Sequence, residues 1–134
     1  MRTLLDLQLG RDLARDSGLS DPDYDILSTL SERKDARWRA TDLATRLMWS
    51  SSRLAHQVGR MERRGLVVRE KCEDDGRGAT ITLSDAGWDT LRAAAPLHVR
   101  SVRAHFVDLL TDEEVEVLAR VAEKVIDHLQ ALAS

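Results

Sequence analysis

Residues 50–83 read SSSRLAHQVGRMERRGLVVREKCEDDGRGATITL, and the reading of this stretch decides the fold. Ser50 or Ser51 opens a helix in which Leu54, Val58 and Met61 recur at i, i+4 and i+7, the inward stripe of an amphipathic helix. Gly65 is a natural C-terminal stop. Leu66-Val67-Val68-Arg69 is β-rich, Glu73 to Gly78 contains an Asp-Gly turn signal, and Thr80 to Leu83 alternates as the return strand. A helix followed at once by a glycine-tipped hairpin over residues 66–83 is therefore expected.

Upstream, Thr41 is expected to cap a helix from Asp42 to Leu47, with Met48-Trp49-Ser50 as the turn of a helix-turn-helix. Arg37 to Arg39 reads as a very short strand. Ser20 or Asp21 caps a helix that contains Pro22 and Asp23 in its first turn, buries Tyr24, Leu27 and Leu30, and ends near Glu32. Leu4, Leu5, Leu9 and Leu13 place a first helix over residues 3–17, closed by Gly18. Downstream, Ser84 caps a long helix that Pro96 should kink or interrupt. Thr111 to Glu114 is a capping box. It opens a last helix with Val115, Leu118, Val121, Val125, Leu129 and Leu132 on one stripe. The class expected is mainly α with a small β-hairpin wing, a winged helix-turn-helix. Its 134 residues suit a single domain. Residues 21–94 would form the winged lobe, and 1–20 with 95–134 a helical dimerisation base, since the last stripe is too wide for a monomer to cover.

One cysteine excludes a disulfide framework within the chain, and no apolar run approaches the length of a membrane span. The N-terminus alternates charges with leucines, unlike a signal peptide, so a cytoplasmic address is expected. The net charge of −3 hides an asymmetry. Residues 1–32 carry −4, residues 33–71 carry +7, residues 72–83 carry −2, and residues 84–134 carry −4. A basic block between acidic arms is an electrostatic footprint for a polyanion. A charge run is also what an ordinary solvated face carries.

The outward face of the helix at 50–65 carries Ser52, His56, Arg60 and Arg63, with Arg53 on its flank and no acid before Glu62. These types donate to phosphates and read base edges in a major groove. Small residues at the helix start allow close backbone approach. Thr41, Ser50 and Ser51, at the starts of the two helices, complete the expected DNA-binding set on this element. Arg77 sits between two glycines at the hairpin tip, where a cation suits a narrow minor groove, and Asp75 is near enough in sequence to orient it.

Leu43-Ala44 with Leu47, Ser52, the run Arg60-Met61-Glu62-Arg63-Arg64-Gly65-Leu66-Val67, Arg69, the Asp75-Gly76-Arg77-Gly78 turn and Leu83-Ser84-Asp85-Ala86-Gly87 together resemble the MarR family of transcriptional regulators. The likeness covers about residues 20–134. It implies a homodimer of winged helices with intertwined terminal helices, bound to a pseudo-palindromic operator in double-stranded DNA. It further implies that Ser52, Arg53, His56 and Gln57 face the major groove, and that Arg77, supported by Asp75, enters the minor groove. Repression released by a small aromatic or phenolic effector is implied by the same likeness, with Tyr24, Trp88, His98 and nearby arginines as candidate contacts; interhelical packing explains these side chains equally well. The chain departs from the pattern at Gly59, where the family often has an acid, and at Met61, where it has leucine. Its first helix also begins abruptly, which would imply a late start or a reduced dimer base.

No nucleophile–base arrangement, P-loop or dinucleotide fingerprint occurs, so an enzyme is not expected. The rival reading is a winged-helix protein–protein module without DNA binding, which would leave the basic helix and Arg77 unexplained. Peroxide-sensing members carry a cysteine in the first helix, whereas the one cysteine here is Cys72. It is followed by Glu73, Asp74 and Asp75, whose charge disfavours the thiolate, so an inert cysteine is expected. His56, His98, His105 and His128 have no metal-ligand spacing, so neither metal nor cofactor is expected.

Overall fold

Apolar periodicity, caps and turn residues build six helices and three strands in the computed structural model, which describes residues 1–71 and 78–133. Helix α1 spans Arg2–Ser17 and closes on Gly18, whose φ of 66° is left-handed backbone that suits glycine. Helix α2 spans Asp21–Leu30. The Ser20 hydroxyl accepts from the Asp23 N–H, while the Asp23 carboxylate accepts from the Ser20 N–H. Strand β1, Arg37–Arg39, runs straight into α3, Ala40–Leu47. Helix α4 spans Ser51–Arg63, capped by the Ser50 hydroxyl accepting from the Arg53 N–H. Strands β2, Val67–Lys71, and β3, Ala79–Leu83, follow. They are succeeded by α5, Asp85–His105, a 3-10 turn at Val107–Leu109, and α6, Asp112–Ala133. Thr111 and Glu114 cap α6 reciprocally.

Two expectations are corrected. Thr41 does not cap α3: β1 enters the helix directly, extended Arg39 holds the cap position without a side-chain bond, and Thr41 lies in the first turn. Of the two outcomes expected at Pro96, interruption is the one corrected: α5 remains one helix of 21 residues. A proline removes a single N–H donor, and the packing of α5 against α1 and α2 outweighs that loss.

The sheet is antiparallel in the order β1-β3-β2, with Ile81 opposite Trp38 on one side and Arg69 on the other. Beneath it lie Ile26, Leu27 and Leu30 of α2, Leu43 of α3, and Leu54, Val58 and Met61 of α4, all buried. The Trp38 indole N–H donates to the Leu30 carbonyl at 3.2 Å. The wing meets α5 at a corner where the Ser84 hydroxyl donates to the Gly65 carbonyl and the Ser84 N–H to that of Leu66. A Cβ on Gly87 would collide with the Leu66 carbonyl oxygen, so this corner admits only glycine there.

A second joint ties α1 to α5. Asp12 is buried and accepts from the Ser101 hydroxyl at 2.7 Å and the Gln8 amide at 2.9 Å, and it contacts His105 Nε2 at 2.9 Å and Arg15 at 3.0 Å. The terminal elements differ in character. No residue of α6 is buried, and Leu118, Val125, Leu129 and Leu132 stand at least 41% exposed, as does Leu4 of α1. Among the described residues, no helix is long and apolar enough to cross a membrane.

The Ser101 hydrogen bond, with those of Gln8 and His105 and the charge of Arg15, outweighs desolvation and lowers the Asp12 carboxyl from its ordinary 3.8 to about 2. A carboxyl held down in the folded state stabilises the fold above its unfolded value, and that contribution is lost as pH falls through the folded value. Asp12→Asn should therefore lower the melting temperature at neutral pH, and its gap to wild type should close between about pH 4 and pH 2. Thermal melts across that range check this; a gap constant with pH would contradict it.

Candidate nucleic-acid interface

Helix α4 has two faces. Leu54, Gln57, Val58 and Met61 point inward, and Ser52, Arg53, His56, Arg60 and Arg63 are exposed on the other side. At about 100° per residue, Ser52, His56, Arg60 and Arg63 fall within one quadrant, with Arg53 at its edge. Helix backbone hydrogen bonds fix this face, and Ser50 holds its leading end.

What fixes α4 against the rest of the lobe is Asp23. One carboxylate oxygen accepts from the Gln57 amide at 2.6 Å, and the other accepts from the Arg64 guanidinium at 2.8 Å and from the Ser20 N–H at 3.0 Å. Burial pushes the Asp23 carboxyl up, but the Arg64 and Ser20 hydrogen bonds and the Arg64 charge prevail, so it lies below the ordinary value. The carboxylate is thus the form that binds both partners.

This joint corrects one expected contact. Gln57 does not lie on the groove-facing side: it is buried, 9% exposed, and its amide is committed to Asp23. It follows Arg53 by one turn, and α2 covers the side of α4 on which it falls. Local sequence carries no signal for a pairing across 34 positions. Asp23 itself was legible only as a first-turn acid.

The exposed arginines are deployed differently. Arg64 is tied to Asp23 and Arg46 to Glu32 at 2.8 Å. Among the described residues, Arg60 and Arg63 meet no carboxylate; with Arg64 they line a cleft of about 800 Å³ against Gly18 to Ser20. Arg60 follows Ser51 by nine positions, about 13.5 Å along the axis, so these two arginines sit well behind the leading end. The Arg53 guanidinium lies over the Trp49 ring, 4.2 Å from its centroid. His56 is exposed. Thr41 and Ser51 line a second cleft of about 570 Å³ with Arg69 and Lys71, between α4 and the sheet. Ser50 is exposed, with its hydroxyl engaged in the cap. Asp75, Arg77 and Cys72 lie outside the described residues.

The three expected effector contacts do not form one cluster. The Tyr24 and His98 rings meet at 4.4 Å, and the buried His98 Nδ1 has no hydrogen-bond partner among the described residues. Burial pushes the Tyr24 hydroxyl up. Trp88 lies ten residues before His98, about 15 Å along α5, packed against the core with Arg92 over its ring.

The MarR family model matches residues 17–78. Among solved structures, AbsC, a MarR family transcriptional regulator from Streptomyces coelicolor, superposes with a TM-score of 0.89 at 45% identity, over 97% of this chain and 87% of that one. Sco3205, a MarR family transcriptional regulator from Streptomyces coelicolor solved in complex with DNA, gives 0.88 at 40% identity, over 96% and 83%. The transcriptional regulator HosA of Escherichia coli is 29% identical over 109 residues, 81% of this chain and 78% of its own.

Proposed function

The chain belongs to the MarR family of transcriptional regulators, and on that premise we propose that it represses transcription as a homodimer on a pseudo-palindromic operator in double-stranded DNA. It acts in the cytoplasm, where that DNA lies. The observation that carries the reading is the outward face of α4, a row of donors with no acid, on a helix clamped from behind through Asp23. The clamp presents Ser52, Arg53 and His56 at the end of the helix that enters a major groove, with Ser51 and Thr41 beside them. Arg60 and Arg63, further back, meet phosphates. The uncovered stripe on α6 and the exposed leucines of α1 supply the dimer base, and the two recognition helices then sit roughly 34 Å apart, one turn of duplex. Asp75 and Arg77 keep the wing role that the sequence resemblance implies.

The unpartnered His98 Nδ1 beside Tyr24 supports an effector site there. A phenol or aromatic acid stacked on Tyr24 would give that buried nitrogen the partner it lacks. Hydroxybenzoates titrated against the operator complex test the idea: release of DNA by wild type that is lost in His98→Ala is the expected result, and equal release by both would remove His98 from the site.

Selection from a random DNA pool tests the function. Wild type should enrich an inverted repeat. Arg53→Ala and His56→Ala should change the preferred bases, and Arg63→Ala should weaken binding to all sequences. Gln57→Ala should keep the wild-type motif but lose about 1–3 kcal/mol of stability, since Asp23 keeps its burial and loses a donor. Recovery of no motif by wild type would contradict the reading.

A further inference from the structure

Trp49 occupies the turn between α3 and α4, partly buried against the core, so part of its ring serves packing. The rest of it meets the Arg53 guanidinium, whose carbon stands 4.2 Å from the ring centroid. The spacing is i, i+4, and helical side chains lean toward the N-terminus, which lays Arg53 back over the turn at the leading end of α4.

The contact has a consequence that an ion pair would not have. A carboxylate partner takes up guanidinium N–H groups, as Asp23 does for Arg64 and Glu32 for Arg46. An aromatic face holds the cation through its π electrons and leaves the N–H groups, which lie in the guanidinium plane, with their hydrogen-bonding capacity. Asp25 of α2 lies within electrostatic reach of Arg53 without forming an ion pair with it among the described residues. Held on an aromatic face, the guanidinium keeps its donor set among the described residues.

Resting on the function proposed above, we propose that Trp49 is a positioning residue for DNA recognition: its indole face fixes the Arg53 guanidinium at the leading end of α4 while leaving its N–H groups for base edges. A long arginine otherwise loses rotamer freedom when it docks; here that ordering is already present in the unbound protein.

A double-mutant cycle on the selected operator tests this, with binding titrations and thermal melts of each variant. In the wild-type background Trp49→Leu should weaken binding about threefold to thirtyfold, the range of a cation–π contact, and blur the preference at the base that Arg53 reads. In the Arg53→Ala background the same change should cost nothing further. Trp49→Phe, which keeps a ring, should retain the base preference with a smaller loss, and it carries the cycle if Trp49→Leu does not fold. An equal loss in both backgrounds would make Trp49 a packing residue only and overturn the inference, as would undiminished binding by both variants beside wild-type arginine. A wild type that selects no DNA overturns the functional reading itself, and this inference with it.

Discussion

The Asp23 carboxylate is the point on which the arrangement of the lobe turns. It closes the first turn of α2 through the Ser20 N–H, and it receives Gln57 and Arg64 from α4 and the residue that follows it. A buried carboxylate is costly unless its lone pairs are met, and here both oxygens are engaged. Because Gln57 and Arg64 lie seven residues, about two helical turns, apart, the contact fixes the rotation of α4 about its own axis as well as its position. That rotation decides which residues face outward. Were α4 turned by half a helical turn, His56 and Arg60 would be buried and Met61 would meet solvent.

A second acid, Asp12, plays the corresponding part between α1 and α5, through Ser101 and His105. Two polar joints thus link the lobe's recognition helix to α2, and the N-terminal helix to the long α5. The Tyr24 and His98 rings join the remaining pair, α2 and α5. An effector seated there would touch the helix that carries Asp23, which gives the site a short physical route to α4.

Much of this was legible in the sequence because it is local. Ser20, Ser50, Ser84 and the Thr111–Glu114 box all cap helices where their side chains predict it, and Gly18 ends α1 as a left-handed residue should. The inward stripe of Leu54, Val58 and Met61 followed from period alone. The misses are of another kind. Gln57 is as polar as its neighbours, and only the fold brings Asp23 to it. Thr41 has the chemistry of a cap, yet β1 leaves no room for one before α3. Pro96 has a strong local preference that tertiary packing overrides. Trp49 was legible as an apolar turn residue, but the guanidinium on its outer face depends on a rotamer that spacing does not fix.

What remains apart from the lobe is α6. No residue of its stripe of valines and leucines is buried among the described residues, and large exposed apolar surface of this kind calls for a partner. In the function proposed above that partner is a second copy, because a two-fold dimer is what places two α4 faces on one side of a duplex. The most direct measurement is the mass in solution by sedimentation, alone and with a selected inverted-repeat duplex. A dimer gives twice the 15.0 kDa chain mass when free, and two chains per duplex when bound. A stable species of single-chain mass at micromolar concentration that binds the duplex as one copy would contradict it.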